Sequence, residues 1–114
     1  MDRWETQVRR GLVELAVLAA AARGETYGYR VVEQLGSLPG LALTESTVYP
    51  ALTRLAREGL LAVRVEPSPA GPPRRYYRLT DDGRGRLGRM ADSWRSLTES
   101  LNLLLEPGGK EPLE

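Results

Sequence analysis

The chain has 114 residues, of which 41% are hydrophobic, and a formal net charge of +1; this is enough for one domain, or one domain with an additional helix. It contains no cysteine and no histidine, which excludes disulfides, thiolate metal sites, a thiol nucleophile and the commonest general base. No apolar run approaches the roughly 20 residues of a membrane span, and Glu14 interrupts the apolar stretch that a signal peptide would need. We therefore expect a cytoplasmic protein that is not an enzyme and that holds no metal or cofactor.

Three helices are predicted in the first half of the chain. Apolar residues at steps of three and four predict a helix over 4–22, apolar on more than one face and therefore buried on two sides. A second helix is predicted over 26–38, where Pro-Gly ends it. A third is predicted over 44–58, capped by Thr44 or Ser46 and closed by a glycine.

A β-hairpin is predicted to follow the third helix. Residues 60–65 alternate like a strand, the sequence PSPAGPP over 67–73 is a turn, and the return strand over 76–79 is preceded by Arg74-Arg75. A helix followed by two strands and a basic hairpin predicts a winged helix-turn-helix of α+β class, mainly α, a unit that most often reads duplex DNA. The basic charge supports this, because residues 44–80 contain six arginines and three glutamates.

The last helix is predicted to carry a heptad stripe. Thr80 and the two aspartates after it cap a helix over 81–106, and its apolar residues follow steps of three and four: Leu87, Met90, Trp94, Leu97, Leu101 and Leu104. Such a stripe after a small domain predicts a homodimer; the alternative is that the helix folds back on the first helix of its own chain. The expected organisation is a DNA-binding domain over 1–80, a dimerisation helix over 81–106 and a disordered tail over 107–114.

The third helix and the hairpin supply the candidate DNA-binding residues. The N-terminal half of a reading helix reaches base edges in the major groove, and the polar residues there are Glu45, Ser46, Thr47, Tyr49, Thr53 and Arg54. Arg74 and Arg75 are expected to hold phosphates or enter the minor groove. The alternatives are that Ser46 and Thr47 only cap the helix, that Tyr49 packs on the core, and that the two arginines are merely solvated. Strand alternation makes Tyr77 the more buried tyrosine of its pair.

Three segments of the sequence resemble one known family. They are GLVELAVLAAAARGETYGYRVVEQL over 11–35, LTESTVYPALTRLAREGLL over 43–61 and GPPRRYYRLTDDGRGRL over 71–87, with a tryptophan after them. In this order the chain resembles the PadR family, named for regulators of phenolic acid decarboxylase. It departs from the family pattern at Ser46, where many members have glycine, and at Ala56, where glutamate is usual. These departures bear on the preferred operator sequence and leave the fold unaffected.

The resemblance implies a homodimeric transcriptional regulator, usually a repressor, in which each winged domain reads half of a palindromic operator in double-stranded DNA. On this basis the DNA-binding candidates also include Tyr27, from the YGY turn, and Tyr77, from the wing.

The single C-terminal helix is similar to the smaller subfamily, in which some multidrug-responsive members bind flat aromatic compounds between paired tryptophans at the dimer interface. Trp94 falls at the matching position, although it is also an ordinary heptad position for a core residue. The resemblance therefore predicts a small aromatic or apolar effector at Trp94, with Trp4, Val8 and Leu15 lining the same cavity.

Two other interpretations stay open at this point. Winged helices also bind proteins, so the chain is alternatively an interaction module whose heptad helix pairs with a different partner. Strong salt dependence of duplex binding would favour the DNA-binding interpretation, because a protein partner releases no condensed counterions. Within the regulator class, an activator and a regulator without an effector fit the sequence equally well.

Overall fold

The computed structural model describes residues 3–108, so the tail predicted over 107–114 lies almost entirely outside the described residues. The elements are α1 (Arg3–Ala21), β1 (Thr26–Tyr27), α2 (Gly28–Gly36), α3 (Glu45–Arg57), β2 (Leu61–Glu66), β3 (Arg74–Leu79) and α4 (Asp81–Leu105). The predicted class, mainly helical with a small antiparallel sheet and a long last helix, is confirmed. Over the range 3–108, none of the helices has the length and apolar character needed to cross a membrane.

The core lies where α1, α2 and α3 pack together under the sheet. Its largest fully buried side chains come from these three helices: Val17, Leu18, Val31, Val48, Leu52 and Leu55. Tyr77 and Leu79 of β3 close the core from the sheet side, at 5% and 4% exposure. Truncating any of these leucines to alanine typically costs about 2–5 kcal/mol, so the core fixes the orientation of α3 firmly.

The sheet has three antiparallel strands in the order β1-β3-β2. Thr26 pairs with Tyr77 on one side of β3, and Val63 pairs with Tyr77 on the other. The prediction of a helix from residue 26 is therefore wrong at its start, since Thr26 and Tyr27 form a strand and α2 begins only at Gly28. The reason is that this strand is held by β3, about fifty residues later, and two residues carry no periodic signal of their own.

The junction between the wing and α4 is closely fitted. Thr80 caps α4, because its hydroxyl accepts from the Gly83 amide at 3.0 Å and donates to the Gly59 carbonyl at 2.7 Å. Gly83 is buried, and a β-carbon there would lie 2.1 Å from the Leu60 carbonyl oxygen. The first turn of α4 is thereby fixed to the end of β3 and to the start of β2.

The rest of α4 leaves the domain. Leu87 and Met90 pack against the core, whereas Leu97, Leu101 and Leu104 are 58%, 52% and 65% exposed. Packing on the chain's own α1 thus accounts only for the beginning of the heptad stripe. The later residues form an apolar face that nothing in the described chain covers.

Candidate nucleic-acid interface

One face of α3 is buried and the opposite face is open to solvent. Val48, Ala51, Leu52 and Leu55 point into the core. Apart from Glu45 in the first turn, the exposed residues of α3 lie three or four positions from one another, which places them on one stripe of the helix. This stripe, the α3 crest, consists of Ser46, Tyr49, Pro50, Thr53 and Arg57. Four of these five residues are polar, so the crest is suited to hydrogen bonding with a partner outside the chain.

The predicted reading residues occupy different places around α3. Ser46 and Thr53 lie on the crest, where the Ser46 hydroxyl lies 3.0 Å from that of Thr44 and the Thr53 hydroxyl donates to the Tyr49 carbonyl at 3.2 Å. Glu45 is exposed in the first turn. Thr47 is half-buried and lines a small cavity beside α1. Helix α3 starts from Thr44, and no side chain caps it.

Tyr49 lies against the start of α2 while remaining 41% exposed. A β-carbon at position 28 would be 2.5 Å from Cε1 of Tyr49, so the Tyr49 ring occupies the space that a side chain at position 28 would fill. The tyrosine therefore has both a packing contact and an open edge. Sequence reasoning missed Gly28, and only this close approach explains why a residue without a side chain is needed there.

A groove of about 770 Å³ runs between the α3 crest and the wing. Its lining includes Tyr49 and Thr53 from α3, the start of α2, the 68–73 turn, and the three wing residues Arg74, Arg75 and Tyr77. The structure thus brings together one group of the predicted site residues: Tyr27, Tyr49, Thr53, Arg74, Arg75 and Tyr77.

Arg74 and Arg75 point to opposite faces of β3 and have different surroundings. The guanidinium of Arg74 lies 4.5 Å from the centre of the Tyr27 ring, a cation–π contact. Arg75, on the other face, makes no ion pair with any residue between 3 and 108. Of these two arginines, Arg75 is therefore the one that is available to a phosphate without giving up a cation–π contact.

The outer face of the sheet is an ordered network of charges and rings. Tyr27 and Tyr76 meet edge to face at 5.8 Å, and Arg64 lies over Tyr76 at 4.5 Å. Arg64 also binds both carboxylate oxygens of Glu25, at 2.9 and 3.2 Å, and contacts Glu66. The hydrogen bond from Arg64 lowers the pKa of Glu25, so this carboxylate is charged near neutral pH and largely offsets the charge of Arg64.

Arg54 is held inside the protein's own network. Its Nη1 lies 3.5 Å from Oε1 of Glu14 on α1 and 3.5 Å from Oε2 of Glu58. The other oxygen of Glu14 lies 2.8 Å from Nε of Arg86 on α4, without forming a hydrogen bond. Glu14 is only 15% exposed. Because it contacts both Arg54 and Arg86, this one carboxylate of α1 links α1 to α3 and α4. Its sequence signal, a lone glutamate in an apolar helix, did not indicate this role.

The candidate effector residues are only partly brought together. Val8 and Leu15 of α1 and Trp94 of α4 line one groove of about 580 Å³, together with Leu12, Met90 and Leu97. Arg86 and Arg89 are also among its lining residues. Trp4 lies elsewhere, beside Pro39 and Leu41. Within one protomer, therefore, the two tryptophans do not share a cavity.

The three-helix core, the hairpin and the groove between them define a winged helix-turn-helix protein. Residues 17–89 match the Transcriptional regulator PadR-like family, and the chain belongs to that family. The predicted resemblance is thereby confirmed, as is the expectation that the chain is not an enzyme, since the family consists of transcriptional regulators.

Named relatives and solved structures agree with this assignment. Transcriptional regulator Rv3488 of Mycobacterium tuberculosis is 37% identical over 81 residues, which are 71% of this chain and 74% of that protein. A PadR family regulator from Eggerthella lenta is 34% identical with a TM-score of 0.77, covering 90% of this chain and 89% of the other. Bacillus subtilis PadR, solved in complex with operator DNA, is 26% identical with a TM-score of 0.64, covering 70% of this chain and 46% of the other.

Proposed function

We propose that this chain is a sequence-specific regulator that binds double-stranded DNA as a homodimer and represses transcription until an aromatic or apolar effector releases it. The observation that carries the DNA-binding part is the groove between the α3 crest and the wing. It combines a helix face rich in hydroxyl groups, which suits base edges, with a hairpin arginine that has no ion pair within residues 3–108, which suits phosphate.

The contacts are assigned by position. The α3 crest, with Ser46, Tyr49 and Thr53, enters the major groove, and Arg75 reaches the phosphate backbone beside it. Arg74, stacked on Tyr27, forms the wall of the groove and keeps its charge next to the DNA. Tyr77 is buried in the core, so it anchors the wing to the domain.

The dimer is assigned to the exposed part of α4. Leu97, Leu101 and Leu104 are more than half exposed, and a heptad stripe of this kind is buried efficiently by a second copy of itself. Two winged domains held in this way would read half-sites about one helical turn, roughly 34–36 Å, apart on a palindromic operator.

Effector binding is assigned to the groove between α1 and α4. Its volume of about 580 Å³ lies within the range of small-molecule sites, roughly 300–1,000 Å³, and Trp94 offers an aromatic surface for stacking. An effector between the helices would change their spacing, and the reading helices would then no longer match both half-sites, which is a population shift between two dimer geometries.

The test is fluorescence anisotropy of the full chain with duplex DNA. A duplex is first recovered by selection from a random library, and it is compared with a scrambled duplex of the same composition at several salt concentrations. We expect selective binding that weakens steeply with salt, and a loss of affinity in Arg75→Ala that Arg75→Lys restores. Equal, weak binding to both duplexes would contradict the proposal and would favour a protein partner for the exposed face of α4.

The effector is tested on the same complex. The anionic dye 1-anilinonaphthalene-8-sulfonate serves as the aromatic probe, and quenching of tryptophan fluorescence reports its binding. We expect the dye to release the duplex from the wild-type chain and to have little effect on Trp94→Ala. Binding of the dye that leaves duplex affinity unchanged would contradict the effector assignment and would leave the DNA-binding assignment standing.

A further inference from the structure

The two arginines of α3 differ in their surroundings, although both are basic and lie three residues apart. Arg54 is 40% exposed and held by Glu14 and Glu58. Arg57 is exposed, and its guanidinium makes no ion pair or hydrogen bond with any residue from 3 to 108. The difference follows from the helix period, since three residues correspond to about 300° of rotation around the axis.

Arg57 lies in line with the residues that face outward. Pro50, Thr53 and Arg57 succeed one another at steps of three and four, so they share one stripe along the helix, and Ser46 continues this stripe towards the N-terminus. Arg54 lies beside this stripe, on the flank of α3 that faces α1. A ligand that covers the α3 crest would therefore meet Arg57 and would reach Arg54 only after breaking its ion pair with Glu14.

The energetic comparison favours the same residue. Glu14, whose side chain is 15% exposed, pairs with both Arg54 and Arg86 of α4. Removing Arg54 would leave this carboxylate with one cation fewer. An exposed arginine gives up only water when it binds phosphate. Between these two guanidinium groups, Arg57 is the one that can form a phosphate contact without disturbing the packing of the helices.

We propose that Arg57 is the guanidinium with which α3 binds the DNA backbone, and that Arg54 is a positioning residue that holds α3 against α1 through Glu14. This inference rests on the proposed DNA-binding function, and it replaces Arg54, a DNA-binding candidate from the sequence, by Arg57. In this arrangement Glu14 links α4 to the reading helix, because it contacts Arg86 of α4 as well as Arg54 of α3.

The experiment measures the affinity of the full-length chain for the selected and the scrambled duplex as a function of salt, between roughly 50 and 200 mM. The variants are Arg57→Ala, Arg57→Lys, Arg54→Gln and Arg54→Lys. Arg95→Ala is the matched control, because it removes the same charge from α4, where Asp92 is the one described residue that forms an ion pair with Arg95. Thermal unfolding of each variant is recorded alongside.

We expect Arg57→Ala to weaken binding to both duplexes by a similar factor of about ten. Its plot of log affinity against log salt should be shallower by about 2 per dimer, since each lost phosphate contact removes roughly 0.9. Arg57→Lys should keep the wild-type slope. Arg54→Gln should lower the melting temperature and keep the wild-type slope, with Arg54→Lys restoring the melting temperature.

Two results would overturn the inference. One is a slope for Arg57→Ala equal to that of Arg95→Ala, and the other is a flattened slope for a folded Arg54→Gln. If Arg75→Ala still flattens the slope in the same assay, the DNA-binding function stands and only the assignment to Arg57 fails. If the wild-type chain prefers no duplex, the proposed function fails, and the inference fails with it.

Discussion

Replacing Gly83 by alanine should destabilise the protein, although the same substitution in a helix interior normally stabilises it. The gain from removing a helix glycine is about 0.5–1 kcal/mol. At Gly83, however, the new β-carbon would lie 2.1 Å from the Leu60 carbonyl oxygen and 2.8 Å from Cδ1 of Leu79. The Leu60 carbonyl is backbone and already accepts from the Thr80 amide at 3.2 Å, so α4 itself must move by about 1 Å.

Such a movement stretches both contacts that fix the helix start. Losing the Thr80 cap costs roughly 1 kcal/mol, a backbone hydrogen bond about 1 kcal/mol, and overpacking of the junction about 1–3 kcal/mol. After the helix gain is subtracted, Gly83→Ala should lose about 2–4 kcal/mol, which lowers the melting temperature of a domain of this size by roughly 10 °C.

Gly88→Ala is the matched control, because Gly88 lies in the same helix with nothing within 4 Å of a new β-carbon. It should raise stability by about 0.5–1 kcal/mol. Thermal and urea unfolding followed by circular dichroism, at one fixed protomer concentration, measure both variants. If Gly83→Ala is as stable as Gly88→Ala, the close fit between α4 and the start of β2 does not exist as described.

Three further predictions concern other parts of the molecule. Leu101→Asp should convert the proposed dimer into a folded monomer in analytical ultracentrifugation, because Leu101 is 52% exposed on the α4 stripe; a variant that sediments like the wild type would exclude this face as the interface. Tyr77→Phe should reduce the loss of folding stability at alkaline pH, because burial raises the pKa of Tyr77 in the folded state. The stability that the neutral Tyr77 contributes is complete below its unfolded pKa of about 10, and it is lost as the pH rises through its folded pKa. Unfolding midpoints measured from pH 8 upward check this, because stability changes with pH wherever the folded and unfolded states bind different numbers of protons. Ala42→Val should cost about 1–2 kcal/mol in urea unfolding while Ala42→Gly is tolerated, because Ala42 has φ 41, a region that β-branched residues avoid; equal midpoints for the two variants would contradict a left-handed backbone there.

Sequence pattern predicted the long elements because they satisfy their own periodicity. Helices α1, α3 and α4 carry an apolar face that recurs every three to four residues, and the wing was found from alternation and a proline-rich turn. Strand β1 was missed because its two residues are held by β3, and no local signal marks a pairing across fifty residues.

The site could be predicted only as far as its residue types. Polar residues on α3 and arginines on the wing were identified from the sequence, and the groove at Tyr49, Thr53 and Arg75 brings several of them together. The ion pairs of these arginines were not predictable from the sequence. Which arginine pairs with a carboxylate depends on helices that come together only in the folded protein. Arg54 and Arg57 are chemically the same residue, and the positions of Glu14 and Glu58 distinguish them.

That carboxylate also gives the proposed regulation a physical route. Glu14 lies beside Leu15, which lines the groove between α1 and α4, and its second partner Arg86 lines the same groove. A molecule that displaces Arg86 would leave Glu14 with Arg54 as its remaining cation, and the balance that holds α3 against α1 would change. A change of a few kcal/mol in that balance suffices to alter the population of two dimer geometries. If regulation follows this route, the groove and α3 are coupled through Glu14, and Glu14→Gln should uncouple dye binding from duplex release while both ligands still bind. If the dye releases the duplex from Glu14→Gln as fully as from the wild type, the coupling runs through the packing of α1 and α4 and not through this ion pair.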